Sequence, residues 1–106
     1  MDMNVNLKSG LNPTSGPAVD WYVYLLHCAD GTYYTGITTE PKRRLQEHNE
    51  NDKKAAKYTR ARRPLKMVYF ELCESRSDAG VREYEIRKLP RQKKVALAQE
   101  MPGVFF

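Results

Sequence analysis

Two aromatic and branched runs, WYVYLLH at 21–27 and TYYTGIT at 32–38, flank Ala29-Asp30-Gly31. Residues of this type favour strands, and Asp-Gly favours a tight reversal, so 21–38 is predicted to be an antiparallel hairpin. The length of the turn decides which side chains meet. A two-residue Asp30-Gly31 loop would put Tyr24 and Tyr34 on opposite faces of the ribbon. A three-residue loop, Ala29 to Gly31, pairs Cys28 with Thr32 and Leu26 with Tyr34. Tyr24, Leu26, Tyr34 and Gly36 then share one face, because facing partners point the same way. Such loops commonly end in a residue of positive φ, which suits Gly31, and the three-residue loop is the preferred reading.

Downstream, Thr38 or Thr39 is expected to cap a helix that starts at Pro41 and runs to about Asn49. The polar, basic stretch 50–64 reads as loop, with a short helix over Ala55 to Thr59. Leu65 to Cys73 reads as a third strand. Ser75 with Asp78 makes a capping-box-like start for a helix reaching Leu89, where Pro90 stops or kinks it. A last helix covers 91–100. The predicted order is β-β-α-(α)-β-α-α, an α+β sandwich-like fold with a small three-stranded antiparallel sheet flanked by helices. Residues 1–19 are rich in Asn, Ser, Gly and Pro and read as a flexible tail. The domain is expected over 20–100, and 101–106 as a short apolar tail.

At 106 residues the chain has the length of one domain with one modest core, which excludes large barrels and doubly wound cofactor folds. Two cysteines, Cys28 and Cys73, are too few for a disulfide scaffold, and with His27 and His48 they show no zinc-finger spacing. There is no apolar run of membrane-spanning length and no signal-peptide pattern near Met1. A cytoplasmic protein with no membrane partner is therefore expected. The net charge is +5, and the excess is localised. Between Pro41 and Pro64 there are nine Lys or Arg and three acids; from Arg87 to Lys94 there are five and none. Such clustering suits a polyanionic partner, and solvated helix faces are the simpler rival.

Three features could carry chemistry. The hairpin holds four tyrosines, Tyr22, Tyr24, Tyr33 and Tyr34, which as single residues are ordinary strand packing. Arg44 and His48 lie four apart on a predicted helix and so share a face. The helix from Ser75 buries a stripe with Ala79, Ile86 and Leu89, and at 100° per residue Glu83 lies about 60° or less from Ala79 and Ile86. A carboxylate there needs a partner or a metal. Glu85 is the rival, and a salt bridge to Arg82 or Arg87 is the plain alternative.

Together these residues resemble the GIY-YIG nuclease superfamily, most closely its small single-domain bacterial branch of the UPF0213 type. Tyr22-Val23-Tyr24 resembles the first triplet, with Tyr24 at the GIY tyrosine. Tyr34-Thr35-Gly36 resembles the second, with Tyr34 at the YIG tyrosine and nine residues between the two triplets. Lys42-Arg43-Arg44-Leu45-Gln46-Glu47-His48-Asn49 resembles the family helix in which an arginine precedes a histidine or tyrosine by four. Glu83 matches the metal-binding glutamate. The glycine of GIY is Tyr22 here, which is expected to narrow the cleft, and the isoleucine of YIG is Thr35. The asparagine that larger members carry after the glutamate helix has no secure counterpart.

The resemblance implies phosphodiester hydrolysis of nucleic acid, DNA foremost, with one Mg2+ or Mn2+ on Glu83. Tyr24 or Tyr34 would be the base for the attacking water. Arg44 would clamp the scissile phosphate, and His48 would relay a proton or orient a tyrosine. Lys42, Arg43, Lys53, Lys54, Lys57, Arg60, Arg62, Arg63, Arg87 and Lys88 would hold flanking phosphates. A structure-selective endonuclease linked to DNA repair or recombination is the expectation, acting as a monomer, with any targeting supplied by a protein partner. The alternative is a nucleic-acid-binding module with the nuclease fold and little activity of its own.

Overall fold

The computed structural model describes residues 19–101, so the tails expected at 1–19 and 101–106 fall almost wholly outside the described residues. Seven elements follow in order: β1 (Trp21–His27), β2 (Tyr33–Thr38), α1 (Pro41–Glu50), α2 (Lys57–Arg60), β3 (Lys66–Cys73), α3 (Arg76–Lys88) and α4 (Arg91–Gln99). The strands form one antiparallel sheet in the order β2-β1-β3. This is the α+β architecture that the hydrophobic pattern predicts.

β1 takes the centre because it can be buried on both faces: Val23, Tyr24, Leu25 and Leu26 are all buried. Its alternate residues feed two cores. Tyr24, Leu26 and Cys28 pack with Leu45 of α1, Leu65 and Met67. Val23 and Leu25 pack with Tyr69, Ile86 of α3 and Leu97 of α4. The sheet is thus covered by α1 on one face and by α3 and α4 on the other.

The hairpin has the three-residue loop. Cys28 donates its N–H to the Thr32 carbonyl at 2.8 Å, Leu26 faces Tyr34, and Tyr24 faces Gly36. Gly31 closes the loop at φ 87°, and its N–H reaches the Cys28 carbonyl at 2.9 Å. β3 carries an irregularity with no counterpart in its sequence pattern. Leu25 pairs with Tyr69 and Leu26 with Met67, so Val68 is an inserted bulge residue. The bulge lets Met67 and Phe70 serve one core while Tyr69 serves the other.

The helix starts differ in detail from expectation. The N-cap of α1 is Glu40, whose side chain makes no capping bond. Thr38 uses its hydroxyl oxygen instead to accept the Glu40 N–H at 3.1 Å, so neither threonine caps the helix directly. Pro41 tolerates this arrangement because it has no N–H to satisfy. α2 begins two residues later than predicted, because Ala56 keeps an extended backbone (ψ 146°) and serves as its N-cap. Ser75 caps α3 as expected, accepting the Asp78 N–H at 3.0 Å. Pro90 ends that helix and serves as the N-cap of α4.

Candidate active site

The helical spacing places Arg44 and His48 one turn apart on α1, on the side facing the sheet. The next residue, Asn49, anchors that turn. Its side chain donates to the Leu65 carbonyl at 3.1 Å and accepts the Leu65 N–H at 2.8 Å, tying α1 to the start of β3. Arg63 adds a bond from Nε to the His48 carbonyl at 2.7 Å.

His48 is fully buried and bonded through both ring nitrogens. Nε2 lies 2.8 Å from the Tyr24 hydroxyl, and Nδ1 lies 2.8 Å from Oγ1 of Thr59. The Thr59 hydroxyl also reaches the Ala56 carbonyl at 2.9 Å. With its proton directed there, Oγ1 can accept from Nδ1–H, an arrangement that would leave Nε2 a lone pair for the Tyr24 O–H. Burial pushes the His48 pKa down to about 4, with the Arg44 and Arg63 cations adding to the effect, so the ring is neutral at physiological pH. Burial raises the Tyr24 phenol well above its usual range, while Arg44 pulls in the other direction. Tyr24 therefore keeps its proton at rest, with its hydroxyl 2.8 Å from Nε2.

Tyr34 covers this pair. Its ring lies 5.4 Å from that of His48 and stacks on Tyr58 at 6.0 Å and 22°. Tyr34 faces a cleft of about 330 Å³ at the β2 edge of the sheet, lined also by Tyr33, Thr35, Tyr58, Glu83, Arg87 and Lys94. Burial raises the Tyr34 phenol, Arg44 and Arg87 oppose the shift, and Glu83 adds to it. Glu83 enters the cleft from α3, held by one long contact to Arg87 at 3.4 Å. Glu85 turns outward and pairs with Arg82 at 3.2 Å, so of the two carboxylates only Glu83 lines the cleft.

Arg44 is preset by two bonds from Nη1, to Oε1 of Glu47 at 2.9 Å and to the Lys54 carbonyl at 2.8 Å. Its guanidinium is close enough to both tyrosines to act on their ionisation. Tyr34 and Glu83 thus line the cleft, while Tyr24 and His48 are buried behind Tyr34 and Arg44 lies near both tyrosines, a group assembled from β1, β2, α1 and α3.

The other cations are spread more widely. Lys42, Lys53 and Lys57 are exposed. Arg43 pairs with Glu40 and Glu47, Lys54 approaches Glu47, and Lys88 lies 5.2 Å over the Tyr84 ring. Arg60 donates to the Asp52 carbonyl. Arg62 bonds Asp30 and lies 3.7 Å over the Tyr58 ring, and Arg63 bonds Asp52 at 2.8 Å, so both have partners within the fold. Tyr22 does not narrow the cleft. It packs edge-on against Phe70 at 5.9 Å, at the far end of the strand from the turn.

Sequence reasoning missed Thr59 and Tyr58, whereas Lys94 closes the basic run from Arg87 that it singled out. Tyr58 and Thr59 sit in a polar, basic stretch whose composition signals solvent, yet Thr59 is fully buried. The pattern that would have exposed them is the contact between α2 and α1, which no local periodicity encodes. Among the described residues no group of three or more His, Cys, Asp or Glu gathers as a metal cage, and no helix is long and apolar enough to cross a membrane.

Residues 20–96 match the GIY-YIG catalytic domain. The chain belongs to the GIY-YIG nuclease family. Within it, the chain is 51% identical over 86 residues to a UPF0213 protein of Desulfotalea psychrophila, covering 81% of this chain and 76% of that one. It is 44% identical over 79 residues to a UPF0213 protein of Staphylococcus aureus, covering 74% and 94%. The solution NMR structure of a protein from E. faecalis shares 43% identity and a TM-score of 0.50, covering 76% of this chain and 84% of that one. Tyr24, Tyr34, Arg44, His48 and Glu83 all fall inside the GIY-YIG match, and the two triplets that resemble the name-giving ones stand on the paired strands β1 and β2.

Proposed function

We propose that the chain is a metal-dependent endonuclease that hydrolyses DNA phosphodiester bonds, with Tyr24 as the base and His48 as the acceptor of its proton. The observation that carries this reading is the buried 2.8 Å bond between the Tyr24 hydroxyl and the neutral His48 ring. A phenol is a poor base while it holds its proton. Coupled to a bare imidazole nitrogen, Tyr24 can take a proton from water at one lone pair as it hands its own to Nε2. The imidazolium formed keeps both N–H bonds satisfied, by Thr59 on one side and Tyr24 on the other.

Arg44, preset by Glu47, would hold a non-bridging oxygen of the scissile phosphate and offset the charge that grows there. Tyr34 bounds the cleft and shields the pair from bulk water. Glu83 fits a hard cation that keeps most of its waters, since such ions take one or two carboxylates plus substrate phosphate oxygens rather than a full protein cage. Mg2+ or Mn2+ bound there would supply charge stabilisation at the leaving 3′ oxygen. Arg87 and Lys94, which also line the cleft, would hold flanking phosphates without reading sequence.

The test is cleavage of labelled linear duplex, flap, four-way junction and single strand in Mg2+ and in Mn2+, with Glu83→Gln beside wild type. Metal-dependent cutting that is lost in the variant while salt-sensitive binding persists supports the reading and names the preferred DNA structure. Salt-sensitive binding without cutting on any substrate would replace it with a binding module.

A further inference from the structure

We infer that Thr59 is a positioning residue for proton transfer: its hydroxyl fixes the His48 tautomer that leaves Nε2 bare toward Tyr24. The role in transfer rests on the proposed nuclease reading, whereas the tautomer itself does not.

The geometry allows two opposite chains of hydrogen bonds through His48. In one, the Thr59 O–H points at the Ala56 carbonyl 2.9 Å away, Nδ1–H donates to Oγ1 at 2.8 Å, and Tyr24 O–H donates to Nε2 at 2.8 Å. In the other, Thr59 donates to Nδ1, and Nε2–H donates to the Tyr24 oxygen. Only the first can carry a proton from Tyr24 to the ring. The Ala56 carbonyl favours the first by offering the Thr59 proton an acceptor within its own turn, the back-bond common for threonine in helices, alongside the N–H groups of Thr59 and Arg60 that it accepts at 3.1 Å each.

Thr59 is fully buried, so no water competes for this choice. It reaches the ring from α2, a four-residue helix joined to α1 by a loop. That loop is shaped by Asn51, whose Oδ1 accepts the N–H groups of Lys53 and Lys54, each at 3.0 Å. Its Lys54 carbonyl also binds Arg44. One connection thus presents the second bond of His48 and steadies the phosphate-facing arginine.

A valine at 59 would fill nearly the same space and accept nothing. Nδ1–H would then be buried without a partner, which is costly. The ring escapes this cost by moving its proton to Nε2, where the Tyr24 oxygen accepts it. Tyr24 then faces a nitrogen that already holds a proton, and the transfer stops.

The experiment uses the full chain labelled with 15N in histidine, and long-range 1H–15N correlation spectra at neutral pH separate bare from protonated ring nitrogens. A His27→Gln variant assigns the signals of His48, since the chain has 2 histidines. The expected result for wild type and Thr59→Ser is a bare Nε2 and a protonated Nδ1. For Thr59→Val the expected result is the reversed tautomer, with cleavage slowed by about 100-fold or more and DNA affinity unchanged. A wild-type ring protonated on Nε2 overturns the inference whether or not any variant folds. So does a Thr59→Val protein with the wild-type tautomer or the wild-type rate. A wild-type chain that cuts no DNA removes the transfer role together with the nuclease reading, and the spectra show whether the tautomer claim fails as well.

Discussion

The ring of Tyr24 lies across the backbone of Gly36, its partner on the neighbouring strand, so closely that a Cβ at position 36 would overlap the Tyr24 hydroxyl and Cζ. The glycine leaves the opening through which the phenol reaches His48. Its backbone φ is ordinary, so close approach and not a special conformation demands glycine here.

Gly36→Ala is therefore expected to destabilise the fold by about 1–3 kcal/mol through overpacking, since the added carbon meets a ring fixed on its far side by His48. It should also displace the Tyr24 hydroxyl from Nε2. Urea unfolding midpoints and cleavage rates of the variant check both effects. Gly80 provides the control, because a Cβ there meets nothing. Gly80→Ala should match or exceed wild-type stability, as alanine is the better helix former.

Stability should fall on mild acidification because of His48. Its folded pKa, about 4, lies below the ordinary value of 6.5, so the unfolded chain binds the proton first as pH drops. The contribution is fully present above pH 6.5, declines as pH falls, and is gone below about 4. It amounts to about 2 kcal/mol between about pH 7 and about pH 5. Chemical denaturation at the two pH values measures it, and His48→Gln should flatten that slope.

Arg44→Lys keeps the charge and loses the fork. Lysine cannot hold the Glu47 carboxylate and the Lys54 carbonyl while also facing the tyrosines. Single-turnover cleavage should slow by about 10-fold or more, with fold stability changed by about 1 kcal/mol or less, as befits a partly exposed ion pair. An unaltered rate would show that point charge alone suffices at this position.

The parts of this molecule that local chemistry dictates are legible in its sequence. Gly31 at the end of a three-residue loop sets the hairpin register, and that register alone aligns Tyr24 with Gly36 and Leu26 with Tyr34. Helical spacing brings Arg44 beside His48 and sets Glu83 near the buried stripe of α3, whereas only the fold shows Glu85 paired with Arg82 and Glu83 lining the cleft. What escapes the sequence is decided by packing between distant segments. The Val68 bulge exists because β3 must serve two cores, which a strand read alone does not reveal. Thr59 looks like solvent-facing turn chemistry among lysines and arginines, and only the docking of α2 on α1 buries it. Tyr22 occupies a family triplet position, yet Phe70, 48 residues later, decides where its ring goes.

The central claim is that Tyr24, through His48, is the base, and that Tyr34 is not. Single-turnover DNA cleavage by Tyr24→Phe and Tyr34→Phe, measured beside wild type in Mg2+ with DNA affinity determined in parallel, tests it most directly. Tyr24→Phe should slow cleavage by about 100-fold or more at unchanged affinity, whereas Tyr34→Phe, which keeps the ring stacked on Tyr58, should stay much nearer the wild-type rate. A fast Tyr24→Phe enzyme, or a Tyr34→Phe enzyme as slow as Tyr24→Phe is predicted to be, would contradict it.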